Sequence, residues 1–269
     1  MKSEKQLQIA VVTGASSGMG RETVIQLADR FALLDEIWVL ARREDRLRDL
    51  ERQVPVKLRI FAVDLLNLQE LDPFQEELSR LKPNVRFLVN AAGFGKTGPV
   101  GQTSFYEETG MVALNCQALC AVTHMVLPFL AKGARVIQFA SAAAFLPQPD
   151  FAVYAASKAF VLSYSRALNR ELKPKNIKVT AVCPGPVKTE FFQAMGEGKD
   201  LKGYPFYKRL IMAKPEKVVK KAIEDSILRK SVSVYGVFVK AFWLFSKAVP
   251  HEWILSVLDR INGRKGAEE

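Results

Sequence analysis

The stretch that decides the fold is Ile9-Ala10-Val11-Val12-Thr13-Gly14-Ala15-Ser16-Ser17-Gly18-Met19-Gly20. Its apolar start predicts a buried strand, and its three glycines predict a tight turn into a helix that begins near Arg21. Backbone without a Cβ atom can approach a pyrophosphate, and a helix N-terminus offers free N–H groups to it. A plain strand-to-helix connection is the alternative, but the position after the first strand favours a nucleotide site.

Six further apolar segments of strand length follow, at intervals that helices can fill. The seven predicted strands are Ile9–Val12, Glu36–Leu40, Lys57–Val63, Phe87–Val89, Arg135–Ala140, Lys178–Val182 and Ser231–Val234. Strands that are apolar on both faces indicate a parallel sheet covered on both sides. We therefore expect an α/β fold with a single Rossmann-like, doubly wound parallel sheet, helices on both faces, and sites beyond the carboxyl ends of the strands.

Length and composition predict one catalytic domain over residues 1–269, because 49% of the residues are hydrophobic and no linker divides the chain. Three cysteines and two histidines suggest neither a disulfide framework nor a metal site. The N-terminus has no signal-like segment and no apolar run reaches spanning length, so we expect a cytoplasmic protein.

The net charge of +11 raises the question of an anionic partner. The lysines are scattered among acidic residues, and no stripe of alternating aromatic and basic side chains is present. We therefore expect no nucleic-acid partner.

A possible proton donor lies in Tyr154-Ala155-Ala156-Ser157-Lys158. If residues 152–169 are helical, the four-residue offset places both side chains on one face. A tyrosine pKa is about 10 in isolation, and a nearby cation favours the phenolate, so Lys158 is expected to lower the pKa of Tyr154. An ordinary amphipathic helix with a surface lysine is the alternative, since this spacing is common by chance.

Six motifs in this order resemble the short-chain dehydrogenase/reductase family, over roughly residues 8–225. They are the turn Thr13–Gly20, Asn90-Ala91-Ala92-Gly93, Asn115, Ser141, the Tyr154/Lys158 pair, and Pro184-Gly185-Pro186-Val187-Lys188-Thr189. Ala91 departs from the usual second asparagine of the family. The combination is far more specific than any single motif.

The resemblance implies an oxidoreductase that interconverts carbonyl and alcohol groups. Tyr154 would be the general acid in reduction and the base in oxidation, and Lys158 would also bind the nicotinamide ribose. Ser141 would hold the substrate oxygen. Asn115 would hold a water molecule that connects Lys158 to solvent.

Arg42 and Arg43, after the second strand, favour NADP(H) over NAD(H), because arginine suits a 2′-phosphate where an acidic residue would suit a ribose. Arg42 stands at the position that the family uses for this choice, although both arginines could simply be solvated. The predicted cofactor-binding residues are Gly14, Ser16, Ser17, Gly18, Met19, Gly20, Arg42, Arg43, Asp64, Leu65, Asn90, Ala91, Gly93, Tyr154, Lys158, Pro184, Gly185, Val187 and Thr189.

Aromatic residues within a segment of about 186–213 predict a lid over an apolar pocket. Candidate substrate residues are Phe94, Ser141, Phe145, Phe191, Phe192, Met195 and Tyr204. A hydrophobic ketone or secondary alcohol, steroid-like or with an acyl chain, is expected. The aromatic residues could instead belong to the core or to a subunit interface.

The apolar C-terminal extension, about 235–262, could rim the substrate entrance, pack on another subunit or lie on a membrane surface. The first two readings are favoured, and family members commonly form homo-dimers or homo-tetramers. For the whole chain the leading interpretation is an NADP(H)-dependent oxidoreductase. The alternative is a cofactor-bound regulator or scaffold without significant turnover.

Overall fold

The computed structural model describes residues 6–191 and 212–261. Seven parallel strands form one sheet in these ranges, in the order β3-β2-β1-β4-β5-β6-β7. The strands are β1 Gln8–Thr13, β2 Glu36–Ala41, β3 Lys57–Ala62, β4 Asn84–Asn90, β5 Leu130–Phe139, β6 Lys178–Val182 and β7 Val232–Ser233. The predicted doubly wound parallel sheet is confirmed. All seven predicted strands are present, although β7 has two residues where four were expected.

Helices fill the intervals, as predicted. They are α1 Gly18–Arg30, α2 Glu44–Glu51, α3 Asp72–Leu81, α4 Phe105–Val112, α5 Leu119–Val126, α6 Ala152–Glu171, α7 Pro215–Ile227, α8 Val237–Ala248 and α9 His251–Ile261. Short 3₁₀ turns lie at Leu68–Leu71, Leu127–Phe129, Ala142–Phe145 and Lys173–Lys175.

Strand β1, in the interior of the sheet, buries both of its faces, in two separate apolar clusters. Ala10 and Val12 of β1 belong to a cluster that also holds Val24 of α1. Ile9 and Val11 point to the other side and belong to a cluster built on α3, α5 and α6. Alternate residues of a strand face opposite sides of a sheet, so a continuous apolar run requires helices on both.

The segment Phe105–Phe129 corrects one expectation from the sequence. The sequence analysis expected no apolar run of spanning length. Within the described ranges, one helix, Phe105–Phe129, is long and apolar enough to cross a membrane, judged by length and composition alone. Its buried residues Met111, Asn115 and Val122 pack into the protein interior. An interior helix of a folded domain meets the same criterion, so this segment is accounted for as a core helix.

Candidate active site

A cavity of about 470 Å³ lies beside the carboxyl ends of β4, β5 and β6, next to the glycine-rich turn. This volume is within the range of small-molecule sites. The predicted site residues that line it are Met19, Ala91, Gly93, Ser141, Tyr154, Lys158, Pro184, Gly185, Val187, Thr189 and Phe191. Parallel strands end at one edge of the sheet, and this brings together motifs that are distant in sequence.

Tyr154 occupies the first turn of α6, which begins at Ala152, and its ring is buried between two aromatic neighbours. Phe151 stacks on it with ring centroids 4.3 Å apart, and Phe191 lies 5.6 Å away at a tilt. Gly95 leaves room for this arrangement, because a Cβ atom there would lie 2.7 Å from the Tyr154 ring. The phenol is therefore held in place by packing on several sides.

Burial raises the pKa of Tyr154 to about 12, and a hydrogen bond with the Ser141 hydroxyl opposes the rise. The net lowering of this pKa that the sequence led us to expect is therefore not found, because the loss of solvation outweighs the favourable contacts. Ser141 also caps the 3₁₀ turn Ala142–Phe145 by accepting a hydrogen bond from the Ala143 amide at 3.1 Å.

Lys158 lies on the same face of α6 as Tyr154, as its spacing predicts. Its Nζ atom is 5.7 Å from the centre of the Tyr154 ring and donates a 3.0 Å hydrogen bond to the carbonyl of Phe139. Burial lowers the pKa of Lys158 to about 8. The ammonium group is therefore a buried cation that titrates near neutral pH.

Asn115 is fully buried in a π-helical segment, Ala113–Ala118, between α4 and α5. Its Oδ1 accepts from the amide of Phe94 at 3.1 Å, and its Nδ2 donates to the Phe94 carbonyl and to the Ser157 hydroxyl, both at 3.0 Å. These contacts join three parts of the fold: the helical segment Phe105–Phe129, the loop that follows β4, and helix α6. π segments often occur at functional sites. The water relay expected of Asn115 stays a prediction.

Close packing around the glycine-rich turn explains two of its glycines. Gly14 has φ +68°, and a Cβ atom there would lie 2.7 Å from the Ala92 amide nitrogen. A Cβ atom at Gly20 would lie 2.2 Å from the Gly14 carbonyl oxygen. Thr13 joins the turn to β4, because its hydroxyl accepts hydrogen bonds from the amides of Ala91 and Ala92. Thr13 was not among the predicted site residues.

The two predicted phosphate-binding arginines make different contacts. Arg43 donates from Nη2 to the Ser16 hydroxyl at 3.1 Å, which places it against the glycine-rich turn. Arg42 is more exposed and lies 3.9 Å from the Asp64 carboxylate. Both lie beside β1 and β2 at the edge of the sheet where the turn begins.

Glu190 is a residue that the sequence reasoning missed. Its carboxylate accepts from Arg43 at 3.0 Å and from Arg46 at 2.5 Å. Burial alone would raise its pKa, but the hydrogen bonds from Arg46 and Arg43 hold the pKa below the usual range. An acidic residue next to Thr189 was the available signal, but only the fold brings it to the arginines.

Several predicted residues lie away from the cavity. Asn90 is buried, and its Nδ2 donates hydrogen bonds to the side chains of Thr123 and Gln138 behind the site. Leu65 packs in the core on the α3 side of the sheet. These two side chains lie outside the cavity lining, and the expected contribution of Asn90 and Leu65 to cofactor binding stays a prediction.

Two predicted substrate residues are also corrected. The Phe94 ring packs in a cluster with Met111 beside α6, and Phe145 packs against Phe242 and Trp243. Neither lines the cavity. Both residues neighbour the motifs in sequence, but the Phe94 ring is partly buried beside Met111 and the Phe145 ring is buried against α8. Phe192, Met195 and Tyr204, with most of the predicted lid, lie outside the described residues.

Other cavity residues were not predicted. They are Thr97, Phe139, Ala140, Ala142, Ala143, Gln148, Pro149, Asp150, Phe151, Pro186 and Phe242. Residues 148–151 lie three to six positions before Tyr154, so proximity could have suggested them. Phe242 lies in α8, within the C-terminal extension that was expected to rim the substrate entrance or pack on another subunit, but no motif singles it out.

Comparison with known proteins agrees with this geometry. A family model described as short chain dehydrogenase matches residues 8–200. Sulfoacetaldehyde reductase 2 of Chromohalobacter salexigens is 34% identical over 192 residues, which is 68% of this chain and 74% of that protein. A very-long-chain 3-oxoacyl-CoA reductase of Aspergillus terreus is 34% identical over 64% of this chain and 51% of its own length.

A solved structure extends the similarity to nearly the whole chain. It is a short-chain dehydrogenase from Sphingobium yanoikuyae in complex with NADPH, and it is 25% identical. The TM-score is 0.76, and the match covers 98% of both chains.

Proposed function

The chain belongs to the short-chain dehydrogenase family and is an oxidoreductase of carbonyl and alcohol groups, and from that premise we propose that it uses NADP(H) on a hydrophobic substrate. The observation that carries the proposal is that Ser141, Tyr154 and Lys158 line one cavity beside the glycine-rich turn. A hydrogen-bonded hydroxyl, a phenol and an ammonium group at a single cavity form a proton-donating site.

The turn fits a dinucleotide. Gly14 and Gly20 allow the turn to pack tightly, because a Cβ atom at either position would collide with neighbouring backbone. The Ser17 side chain does not cap the first amides of α1. These amides suit a pyrophosphate. Ser16 and Arg43, hydrogen-bonded to each other beside the turn, would hold a 2′-phosphate, with Arg42 near them. This arrangement supports NADP(H) as the cofactor.

In this proposal Tyr154 donates its proton to the carbonyl oxygen during reduction, and its phenolate accepts a proton during oxidation. A bound nicotinamide supplies or accepts the hydride. Ser141 hydrogen-bonds the same substrate oxygen and orients it, and correct orientation contributes strongly to the rate. Because its pKa is raised, Tyr154 carries its proton at neutral pH, as a general acid must. Lys158 places a positive charge behind the phenol and stabilises the phenolate left after proton transfer.

The aromatic walls of the cavity support a hydrophobic substrate. Phe151, Phe191 and Phe242 line it together with Met19 and Val187. Apolar walls with a few convergent polar groups bind apolar molecules and orient them at one end. A ketone with a ring system or an acyl chain satisfies both requirements, since its oxygen would meet Ser141 and Tyr154 while its body contacts the rings.

A cofactor-bound regulator of the same fold is the alternative, and it is not favoured. Such a protein needs the dinucleotide groove but has no use for a buried proton donor that lines an apolar cavity beside it. In this chain Tyr154 lines such a cavity next to the glycine-rich turn.

The test is NADPH oxidation with a series of apolar ketones, comparing the wild type with Tyr154→Phe. We expect Tyr154→Phe to lower kcat by a factor of about 10² to 10⁴, since it removes the proton donor and leaves the packing. NADPH binding, measured by fluorescence titration, should stay within about twofold. Equal turnover in the two proteins would contradict the role of Tyr154. A wild type that binds NADPH but turns over none of the ketones would favour the regulator.

A further inference from the structure

A second cavity, of about 660 Å³, lies away from the active site among α6, β6, α7, β7 and α8. Seven of its 14 lining residues are lysine or arginine, and Asp225 is the acidic one. We call it the basic cavity. An excess of cations in a concave surface concentrates positive potential, because the low-dielectric walls limit solvent screening.

Asp225 does not neutralise this surplus. Its carboxylate is already bonded to Lys221 at 3.0 Å, to Lys230 at 2.8 Å and to the Ser233 hydroxyl at 2.8 Å. Five other lining cations have no ion pair with a carboxylate in the described ranges; they are Arg166, Lys178, Arg229, Lys240 and Lys247. Burial and the neighbouring Arg229, Arg170 and Arg135 also lower the pKa of Lys178, as expected in a positive field.

The outer face of α8 adjoins the basic cavity and is apolar. Val239 and Ser246 form the buried side of the helix. On the solvent side, Phe238 and Leu244 are 64% and 61% exposed, and Val237 and Phe245 are more than half exposed. Leu244 also lines the basic cavity, so the apolar face and the cations are continuous. Such a surface is uncommon on a monomer in water.

Lysines on this face lie along one flank of the helix. Lys240 and Lys247 are seven residues apart, about two turns, and both line the basic cavity. Lys247 also lies 3.9 Å above the Trp243 ring. In the following helix α9, Trp253 is 70% exposed. An apolar stripe with basic residues at its edge and an exposed tryptophan is the pattern of a helix that lies in a membrane interface.

We propose that the outer face of α8 together with the basic cavity binds the surface of an anionic phospholipid bilayer. Phospholipid headgroups would occupy the basic cavity, and Phe238, Leu244 and Phe245 would enter the boundary between headgroups and acyl chains. A free polyanion would leave these three side chains without a role. A second copy of the chain is disfavoured, because a symmetric contact would bring two basic cavities together.

A bilayer bound at the outer face of α8 would lie close to the active-site cavity. Lys240 and Lys247 line the basic cavity on one flank of this helix, and Phe242 lines the active-site cavity on the opposite flank. The proposal does not depend on the reaction that the protein catalyses, and it is tested without cofactor or substrate.

The test is co-sedimentation of the full chain with vesicles of phosphatidylcholine alone or mixed with phosphatidylglycerol. We expect binding to the anionic vesicles, with a partition coefficient that falls at least about tenfold in Lys240→Glu/Lys247→Glu. Phe238→Ser/Phe245→Ser should cause a similar loss, since it removes the apolar contact. If the charge reversal unfolds the chain, Lys240→Gln/Lys247→Gln serves instead, with folding checked by circular dichroism.

Matched controls separate this surface from overall charge and overall hydrophobicity. Lys82→Glu/Lys132→Glu makes the same change in net charge at exposed positions outside the basic cavity. Phe105→Ser/Tyr106→Ser removes two exposed aromatic side chains from α4. Both control variants should bind the anionic vesicles with a partition coefficient within about twofold of that of the wild type.

Several results would overturn the proposal. The first is equal binding to neutral and anionic vesicles, and the second is an equal loss in the control variants. A third is glycerol phosphate or nucleic acid that binds at the basic cavity while the vesicles do not. The last is a dimer that Phe238→Ser/Phe245→Ser dissociates in the absence of lipid.

Discussion

Tyr154 and Lys158 are both buried, and burial moves their pKa values in opposite directions, to about 12 and about 8. Burial disfavours the charged form of either group, so the phenol keeps its proton and the ammonium group loses its proton more readily. At neutral pH the pair is a protonated phenol beside a largely protonated amine, the state in which Tyr154 can act as an acid.

Lys158→Met is expected to abolish turnover and to stabilise the fold at pH 7, by about 1–3 kcal/mol. The wild type buries a cation whose pKa falls from 10.5 to about 8. Below about pH 8 this lysine destabilises the folded state, and the cost disappears as pH rises from about 8 to 10.5. The advantage of the variant should therefore shrink over that window. Urea unfolding at pH 7 and pH 10 measures the difference in free energy of unfolding between Lys158→Met and the wild type. A difference that grows with pH would contradict a lowered pKa for Lys158.

Arg43→Ala and Arg42→Ala are each expected to raise the KM for NADPH by roughly tenfold to a hundredfold, with a much smaller effect on NADH. Arg43 is the stronger candidate from its contact with Ser16, whereas the sequence position favoured Arg42. Arg48→Ala is the matched control, because this α2 arginine pairs with Glu44 and Glu51. The measurement is the ratio of the KM for NADPH to the KM for NADH in each variant. If this ratio is unchanged in both variants, the phosphate contact lies elsewhere.

Three elements, β2, β3 and α3, are joined by an ion cluster around the buried carboxylate of Glu36, the first residue of β2. Glu36 is buried and accepts hydrogen bonds from Arg59 and Lys57 at 2.8 Å and from the Trp38 indole at 2.9 Å. Arg59 also contacts Glu77 of α3. Burial would raise the pKa of Glu36, but the hydrogen bonds from Arg59, Lys57 and Trp38 lower it to about 2.

Glu36→Gln is expected to destabilise the protein by about 1–3 kcal/mol at pH 7, because it removes the buried carboxylate that accepts charge-assisted hydrogen bonds from Arg59 and Lys57. The stability that Glu36 contributes is fully present above about pH 4.5 and is lost as pH falls toward about 2. The difference in free energy of unfolding between the wild type and Glu36→Gln should therefore become smaller as the pH is lowered. Chemical unfolding at pH 7 and pH 3 tests this, and a constant difference would contradict it.

For the whole molecule, the family resemblance predicts a homo-dimer or homo-tetramer. Val112 of α4 and Phe160 of α6 are exposed apolar residues on neighbouring helices, and Phe160 stacks on Tyr164. Packing these helices against a second copy would remove apolar surface from water.

Light scattering after size exclusion should therefore give a mass of two or four chains. Phe160→Glu should shift this mass toward the monomer, because it places a charge in the contact. Val100→Glu, at an exposed apolar position outside these helices, should leave the mass unchanged. A monomeric wild type would contradict the expectation.

The fold was largely predictable from the sequence, because apolar runs and turn residues act locally. Seven strands and the α6 helix followed from periodicity, and β7 is shorter than predicted because it pairs with β6 through two residues at the sheet edge. The membership of the cavity was predictable where motifs end strands, as at Ser141. Proximity in sequence misled at Phe94 and Phe145, since neighbouring residues can point to opposite sides of the backbone.

By itself, the sequence determined the family, the parallel sheet and the set of reactive groups, because these depend on residue type and spacing. The tertiary structure decided how the groups are protonated, since burial of Tyr154 and Lys158 depends on packing from distant segments such as Phe191. It also decided that Glu190 meets the arginines after β2, and that basic residues of α6, α7 and α8 surround one cavity. Such contacts join residues far apart in the chain, and only folding brings them together.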